Sequence, residues 1–167
     1  MNIYDCFMYY DEDLLLDIRL NVLNKYVKKF VITEATYTHN GSKKKLNFNI
    51  QNFSKFKDKI EYIIVDQQPP DIKEINDNDT AEISEEKFIL NGMARDYYQR
   101  ECLKKGLKNL DKEDLVVISD LDEIPNLENL KISEINNNII IFQQKMFYYK
   151  LHLLHDNFLR SGSKAII

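Results

Sequence analysis

Four consecutive apolar residues, Leu115-Val116-Val117-Ile118, run directly into Ser119-Asp120-Leu121-Asp122-Glu123-Ile124-Pro125. No other stretch restricts the fold as much. An unbroken run of this kind, three of its residues β-branched, predicts a strand covered on both faces, as inside a parallel sheet. Three carboxylates then fall within four positions, and Pro125 closes the segment. In open α/β sheets, ligands bind just beyond the carboxyl ends of strands. Asp120, Asp122 and Glu123 are therefore the first candidate site residues. Asp120 and Asp122 point the same way if extended geometry continues past Ser119. Two carboxylates on one face repel each other unless a positive charge lies between them. A hard cation such as Mg²⁺ or Mn²⁺ fills that place well, since one or two carboxylates plus substrate phosphates commonly hold it. The competing reading is a solvated acidic turn after a core strand.

The elements upstream predict an α/β chain. Ile3 to Tyr10 reads as an aromatic-rich first strand. Asp11-Glu12-Asp13 supplies a helix start, with Asp11 as the cap. Leu16, Leu20, Leu23 and Val27 then recur at helical spacing, widened by Leu15, Val22 and Tyr26, with Lys25, Lys28 and Lys29 towards the end. Phe30 to Glu34 reads as a second strand, so strand, helix and strand form a parallel crossover. Glu34 stands at the carboxyl end of that strand. Ala35 to Lys45 is a polar loop with a turn at Asn40-Gly41; His39 and Lys43 to Lys45 are candidates to meet phosphate or sugar, against a plain solvated basic loop. Lys59 to Asp66 is a third strand, and Gln67 to Glu82, with Pro69-Pro70, a long surface loop. Ser84 is placed to cap a helix from Glu85 to Leu110, with Ile89, Met93, Tyr97, Leu103, Leu107 and Leu110 as its apolar positions. Arg95 and Arg100 lie on it as ligand-binding candidates or surface ion-pair partners. After the acidic segment, a polar connection runs from Asn126 to Asn138, with one short helix expected over Leu127 to Ile132. Ile139 to Tyr149 is a long last strand whose aromatic end walls a sugar site or fills ordinary core. His152 and His155 are three apart, which suits one helix face, and a metal role there is the minor reading.

The chain of 167 residues is long enough for one domain, 1–167, with a real core. The net charge of −4 with mixed signs gives no argument for nucleic acid or membrane partners. Cys6 and Cys102 have neither zinc nor CxxC spacing and are expected as small buried hydrophobes. No run reaches transmembrane length, and no signal peptide is evident, so a cytoplasmic location is the default expectation.

Taken together, these segments resemble glycosyltransferase family 17. The matching residues are Tyr4-Asp5-Cys6-Phe7-Met8-Tyr9, Glu12, and Leu15-Leu16-Asp17-Ile18-Arg19-Leu20. They continue with Phe30 to Gly41, Lys45-Leu46, Arg95, Tyr98-Gln99-Arg100 and Gly106-Leu107, and end with Asp114 to Pro125. The resemblance implies a GT-A fold, a Rossmann-like, mostly parallel sheet flanked by helices, in which the Asp-x-Asp holds a metal against a sugar-nucleotide diphosphate. The implied reaction moves a sugar, GlcNAc from UDP-GlcNAc first among the candidates, to a glycan hydroxyl. Asp120, Asp122 or both would hold Mn²⁺ or Mg²⁺; Glu123 would orient the site or bind the donor sugar. Tyr4 to Tyr9, with Tyr4, Asp5 and Phe7 among them, and Glu34 would line the nucleotide edge, Arg95 or Arg100 would meet nucleotide or phosphates, and Glu34 is the candidate base. Family members usually continue through a region with tryptophan and glycine, whereas this sequence has no Trp. The resemblance thus leaves three expectations: a minimal enzyme, a copy truncated at the C-terminus, or half a site completed by another chain or a second copy.

Two rival functions remain open at this level. A strand ending in Asp-x-Asp also resembles the haloacid dehalogenase phosphatases, with Asp120 as nucleophile and Asp122 as acid/base. Against it, Glu123-Ile124 is the wrong context, and little chain follows Pro125. The third reading is a non-catalytic nucleotide-sugar-binding remnant.

Overall fold

The computed structural model describes residues 1–128, 130, 139–147 and 153–166. Among them, six strands form one sheet: β1 (Ile3–Met8), β2 (Lys29–Ala35), β3 (Ile60–Val65), β4 (Leu115–Ser119), β5 (Ile139–Phe147) and β6 (Leu154–Ile166). Two α-helices, α1 (Asp13–Leu23) and α2 (Ala81–Glu101), and two 3₁₀ segments, Ile50–Phe56 and Cys102–Gly106, complete the described elements. The strand order is β3-β2-β1-β4-β6-β5. β1 lies parallel to both β2 and β4, and β2 parallel to β3. β6 runs antiparallel to β4 and to β5. The sheet is therefore mixed, with a parallel half and an antiparallel hairpin at one edge.

Strand periodicity divides the core in two. Ile3 and Phe7 of β1, with Phe30, Ile32, Leu115 and Val117, pack against Leu16, Leu20 and Leu23 of α1. Tyr4, Cys6 and Val31 point to the other face, onto Leu103 in the 3₁₀ turn after α2. Alternate residues of one strand thus serve two layers. Both cysteines are buried and free. Burial, reinforced by the neighbouring Asp5 charge, pushes the Cys6 thiol far above its ordinary range, so it is inert packing.

Three sequence expectations need correction. The first helix starts at Asp13 and ends at Leu23, with Glu12 rather than Asp11 at its cap position. The Glu12 carboxylate instead accepts hydrogen bonds from the Tyr10 and Asp11 amides. Of the expected stripe, Leu16, Leu20 and Leu23 are buried in α1, but Val22 is exposed. The second helix begins four residues earlier, capped by the Thr80 hydroxyl, which accepts from the Ile83 amide. Its inward face is the larger surprise: Asn91 and Arg95 are buried, while Ile89, Met93 and Tyr97 are 54%, 63% and 66% exposed. Helical spacing locates a stripe but not which side it faces. Polar partners on the loops decide the side here: Asn91 bonds both backbone groups of Lys73, and Arg95 holds the loop after β2. Of the short helix expected over Leu127 to Ile132, residues 129, 131 and 132 lie outside the described residues, as do Tyr148, Tyr149 and His152.

Asp114, just before β4, ties the N-terminus to the sheet. Partial burial pushes its carboxyl up, but hydrogen bonds from the Asn2 amide (2.7 Å), the Asp111 amide and the Asn2 side chain outweigh this and hold it below the ordinary range. Its folded value lies below its unfolded one. Its contribution to stability is therefore complete above the unfolded value, about 4, and vanishes as pH falls through the folded value. Asp114→Asn is expected to be less stable than wild type at neutral pH and to converge on it in acid. Urea melts across that range check this.

Candidate active site

The topology says where a ligand belongs before any side chain is consulted. The chain leaves β1 towards β2 and β3, then returns to the other side of β1 as β4. Between the carboxyl ends of β1 and β4 the connections diverge, leaving a crevice at a topological switch point. A cavity of about 730 Å³ opens there. Met8, Tyr9 and Tyr10 at the carboxyl end of β1 line it, with Asp120, Leu121 and Asp122 after β4. Glu12 and Leu15, His39 and Lys44, and Asp96, Gln99 and Arg100 complete the wall. The register sets Phe7 beside Ser119, so the two strand ends stop level.

Asp120 and Asp122 both line this cavity, as their spacing predicts. Arg100 of α2 bonds Asp120 Oδ1 at 2.8 Å and is also paired with Asp96 at 3.2 Å. The Asp122 side chain is exposed and has no protein partner among the described residues. Glu123 turns away from the pair. Its carboxylate faces Arg160 of β6 at 3.4 Å and accepts weakly from the Asp120 amide, closing the turn. The Glu123 carbonyl accepts from Ser163 Oγ at 2.7 Å.

Beneath this turn lies Arg19 of α1, fully buried. Its Nε and Nη2 bond both oxygens of Asp5 at 2.8 and 2.7 Å. Its Nη1 reaches the carbonyls of Asp120, Leu121 and Glu123 at 2.9, 3.0 and 3.1 Å. Nη2 also meets Ser119 Oγ, and the guanidinium lies over the Phe7 ring. Sequence explains the meeting. Arg19 belongs to the inward stripe of α1, and Asp5 shares its strand face with Ile3 and Phe7.

Of the other residues expected at the site, Met8, Tyr9, His39 and Lys44 line the cavity as well, and the rest stand elsewhere. Asp5 is enclosed with Arg19, and Phe7 is core beneath it. Tyr4 is buried on the opposite sheet face, near the amino end of β1. Glu34 is wholly buried. One of its oxygens is bound by the Lys44 ammonium and the Asn47 amide, the other by the Phe48 amide and the Tyr62 hydroxyl. It is the anchor of the loop after β2. Burial, then the bond to Glu34, pushes the Tyr62 hydroxyl well above its ordinary range. Arg95 points from α2 onto the same loop, giving hydrogen bonds to the His39 carbonyl and Gln68. Gly41 there has a positive φ of 88°, which favours glycine, and a Cβ would lie 2.6 Å from the Arg95 guanidinium and displace the end of that side chain.

Sequence reasoning missed several cavity residues. Asp96 stands one helical turn before Arg100 and Gln99 next to it, a signal available once Arg100 is placed at the site. Tyr10 and Glu12 lie just past the first strand, where the switch-point rule points. No local pattern marks Leu15.

Fold and site together define an α/β protein with an acidic, arginine-flanked crevice at the switch point of its sheet. The family model of glycosyltransferase family 17 matches residues 1–161, and the chain belongs to that family. Among curated proteins it is similar to the beta-1,4-mannosyl-glycoprotein 4-beta-N-acetylglucosaminyltransferases of Homo sapiens and Rattus norvegicus, each 27% identical over 115 residues. The Mus musculus counterpart is 26% identical over 115 residues. These alignments cover 66% of this chain and 19% of each relative, so the chain spans about a fifth of their length. No solved structure matches it. No helix among the described residues is long and apolar enough to cross a membrane.

Proposed function

We propose that this chain is a GT-A-like nucleotide-sugar-binding domain of a metal-dependent glycosyltransferase, acting on a glycan hydroxyl with UDP-GlcNAc as the first candidate donor. One observation carries this reading. In a member of glycosyltransferase family 17, Asp120 and Asp122 sit on one wall of an open crevice at the sheet's switch point. The relatives' names supply the sugar and the acceptor class.

The donor set can be tested against a cation. Among the described residues no group of three or more His, Cys, Asp or Glu side chains gathers on one point. A closed protein cage is not what this chemistry uses. Mg²⁺-like ions usually keep one or two carboxylates and take their other ligands from phosphate and water. Asp122, and Asp120 through its oxygen not held by Arg100, fit that partial set. When bound, the ion neutralises charge on the leaving diphosphate.

The chain's own residues do the remainder. Arg100, at the crevice edge and paired with Asp120, is placed to meet a phosphate through its planar fork. Tyr10, which is exposed, offers an aromatic face in the same cavity. The acceptor hydroxyl must lose a proton within the same crevice. Glu34 is saturated, so Glu12, which lines the cavity, is the carboxylate we assign to that step.

A thermal-shift screen of nucleotide sugars tests the reading. A ligand that binds only the folded chain must raise its melting temperature. UDP-GlcNAc with Mn²⁺ is expected to stabilise, and UDP-GlcNAc with EDTA is not. Equal melting in both would refute the proposal. Stabilisation without turnover on any glycan would support the binding-remnant reading instead of the transferase.

A further inference from the structure

We propose that Arg19, locked by Asp5, is a positioning residue that holds the Asp120–Glu123 turn in its donor-binding shape; this rests on the transferase reading above. A buried ion pair needs only each other, yet this one is spread much wider. All five N–H donors of Arg19 are in use: two on Asp5, one on Ser119 Oγ, and Nη1 fanned over three carbonyls of the turn. Converging carbonyls of this sort repel one another, and the turn would open without a cation inside it. The guanidinium serves as that cation. Asp5 fixes its plane by a two-point contact, and Phe7 supports the face.

The consequence for the site is directional. Carbonyls of Asp120 and Leu121 drawn inward onto Arg19 leave the Asp120 and Asp122 carboxylates on the crevice side. The turn's own bonds, Glu123 N–H to the Asp120 carbonyl and Ile124 N–H to the Asp122 carbonyl, at 3.1 Å each, close it from the far side. Arg19 never reaches the cavity wall. It therefore acts through the backbone of the residues that do.

Two variants separate positioning from plain core stability. Arg19→Lys keeps a cation against Asp5 but loses the planar fan. Asp5→Val/Arg19→Met removes both charges, and apolar replacements of buried pairs commonly fold as well as the original. Melting curves establish folding, calorimetry reads UDP-GlcNAc affinity with Mn²⁺, and hydrogen exchange reads individual amides. In both folded variants, affinity is expected to fall between about tenfold and a hundredfold, the range typical of groups that orient metal ligands. The Glu123 and Ile124 amides should exchange faster while Val117 and Ile118 stay protected, and Arg19→Lys should be the milder of the two. Folded variants with wild-type affinity and unchanged turn amides would overturn the proposal. So would an Arg19→Lys chain that fails to fold, because Arg19 would then be core alone. If the double variant fails to fold, Arg19→Lys decides. If wild type itself binds no UDP-GlcNAc, the transferase reading falls, and the amide comparison alone decides for or against the clamp.

Discussion

Asp122→Ala is expected to lower the affinity for UDP-GlcNAc in Mn²⁺ by on the order of a hundredfold or more, beyond what outer-shell changes cost. The side chain is exposed and has no protein partner among the described residues, so little folding energy depends on it. Surface changes of that kind shift stability by no more than about 0.5 kcal/mol. Binding and folding should therefore separate cleanly. Residual binding should be the same with Mn²⁺ and with EDTA, because the role proposed for the carboxylate is to seat the ion. Asp120→Ala is a less clean experiment: it also takes from Arg100 one of its two carboxylate partners, paired at 2.8 Å, and leaves it Asp96 alone. Calorimetry on both variants, each with and without the metal, reads the difference. An Asp122→Ala chain that binds as tightly as wild type would remove Asp122 from the site.

Arg19→Met carries the largest stability effect expected from any one substitution. It leaves Asp5 wholly buried with neither oxygen paired and three backbone carbonyls facing each other. Breaking a buried pair from one side costs about 3–5 kcal/mol. That is a large part of the roughly 5–15 kcal/mol that holds a typical domain together. Urea melts at neutral pH check the size. A loss under about 1 kcal/mol at neutral pH would mean that water or another donor reaches Asp5, contrary to its enclosure.

The contrast between Arg19 and Arg100 shows what the sequence makes legible. The apolar run before Asp120 and its position after a strand were readable, because strand burial and the switch-point rule need only local pattern and element order. The same rule placed Asp120 and Asp122 on a cavity wall. Roles that depend on three-dimensional meeting were not readable. Glu34 ends a strand at the functional edge, as expected, yet Lys44, Tyr62 and two amides meet it there and use up its oxygens. Asp5 lies in the same strand as the cavity-lining Met8, but the two-residue period sends it under the sheet to Arg19. The second helix shows the same limit from the other side. Its apolar stripe at Ile89, Met93 and Tyr97 is present, yet the packed face is the one bearing Asn91 and Arg95. The antiparallel pairing of β6 with β4, which joins the β5–β6 hairpin to the parallel half and makes the sheet mixed, is a long-range contact that no local pattern specified.

The proposed cation-assisted seat for a diphosphate lies between the ends of β1 and β4. Paramagnetic broadening of amide resonances by Mn²⁺, recorded with and without UDP, tests it most directly. Broadening that centres on Met8 to Tyr10 and Asp120 to Asp122, and strengthens when UDP is added, is the predicted result. Broadening that is absent there, or that centres on another acidic patch and ignores UDP, would contradict it.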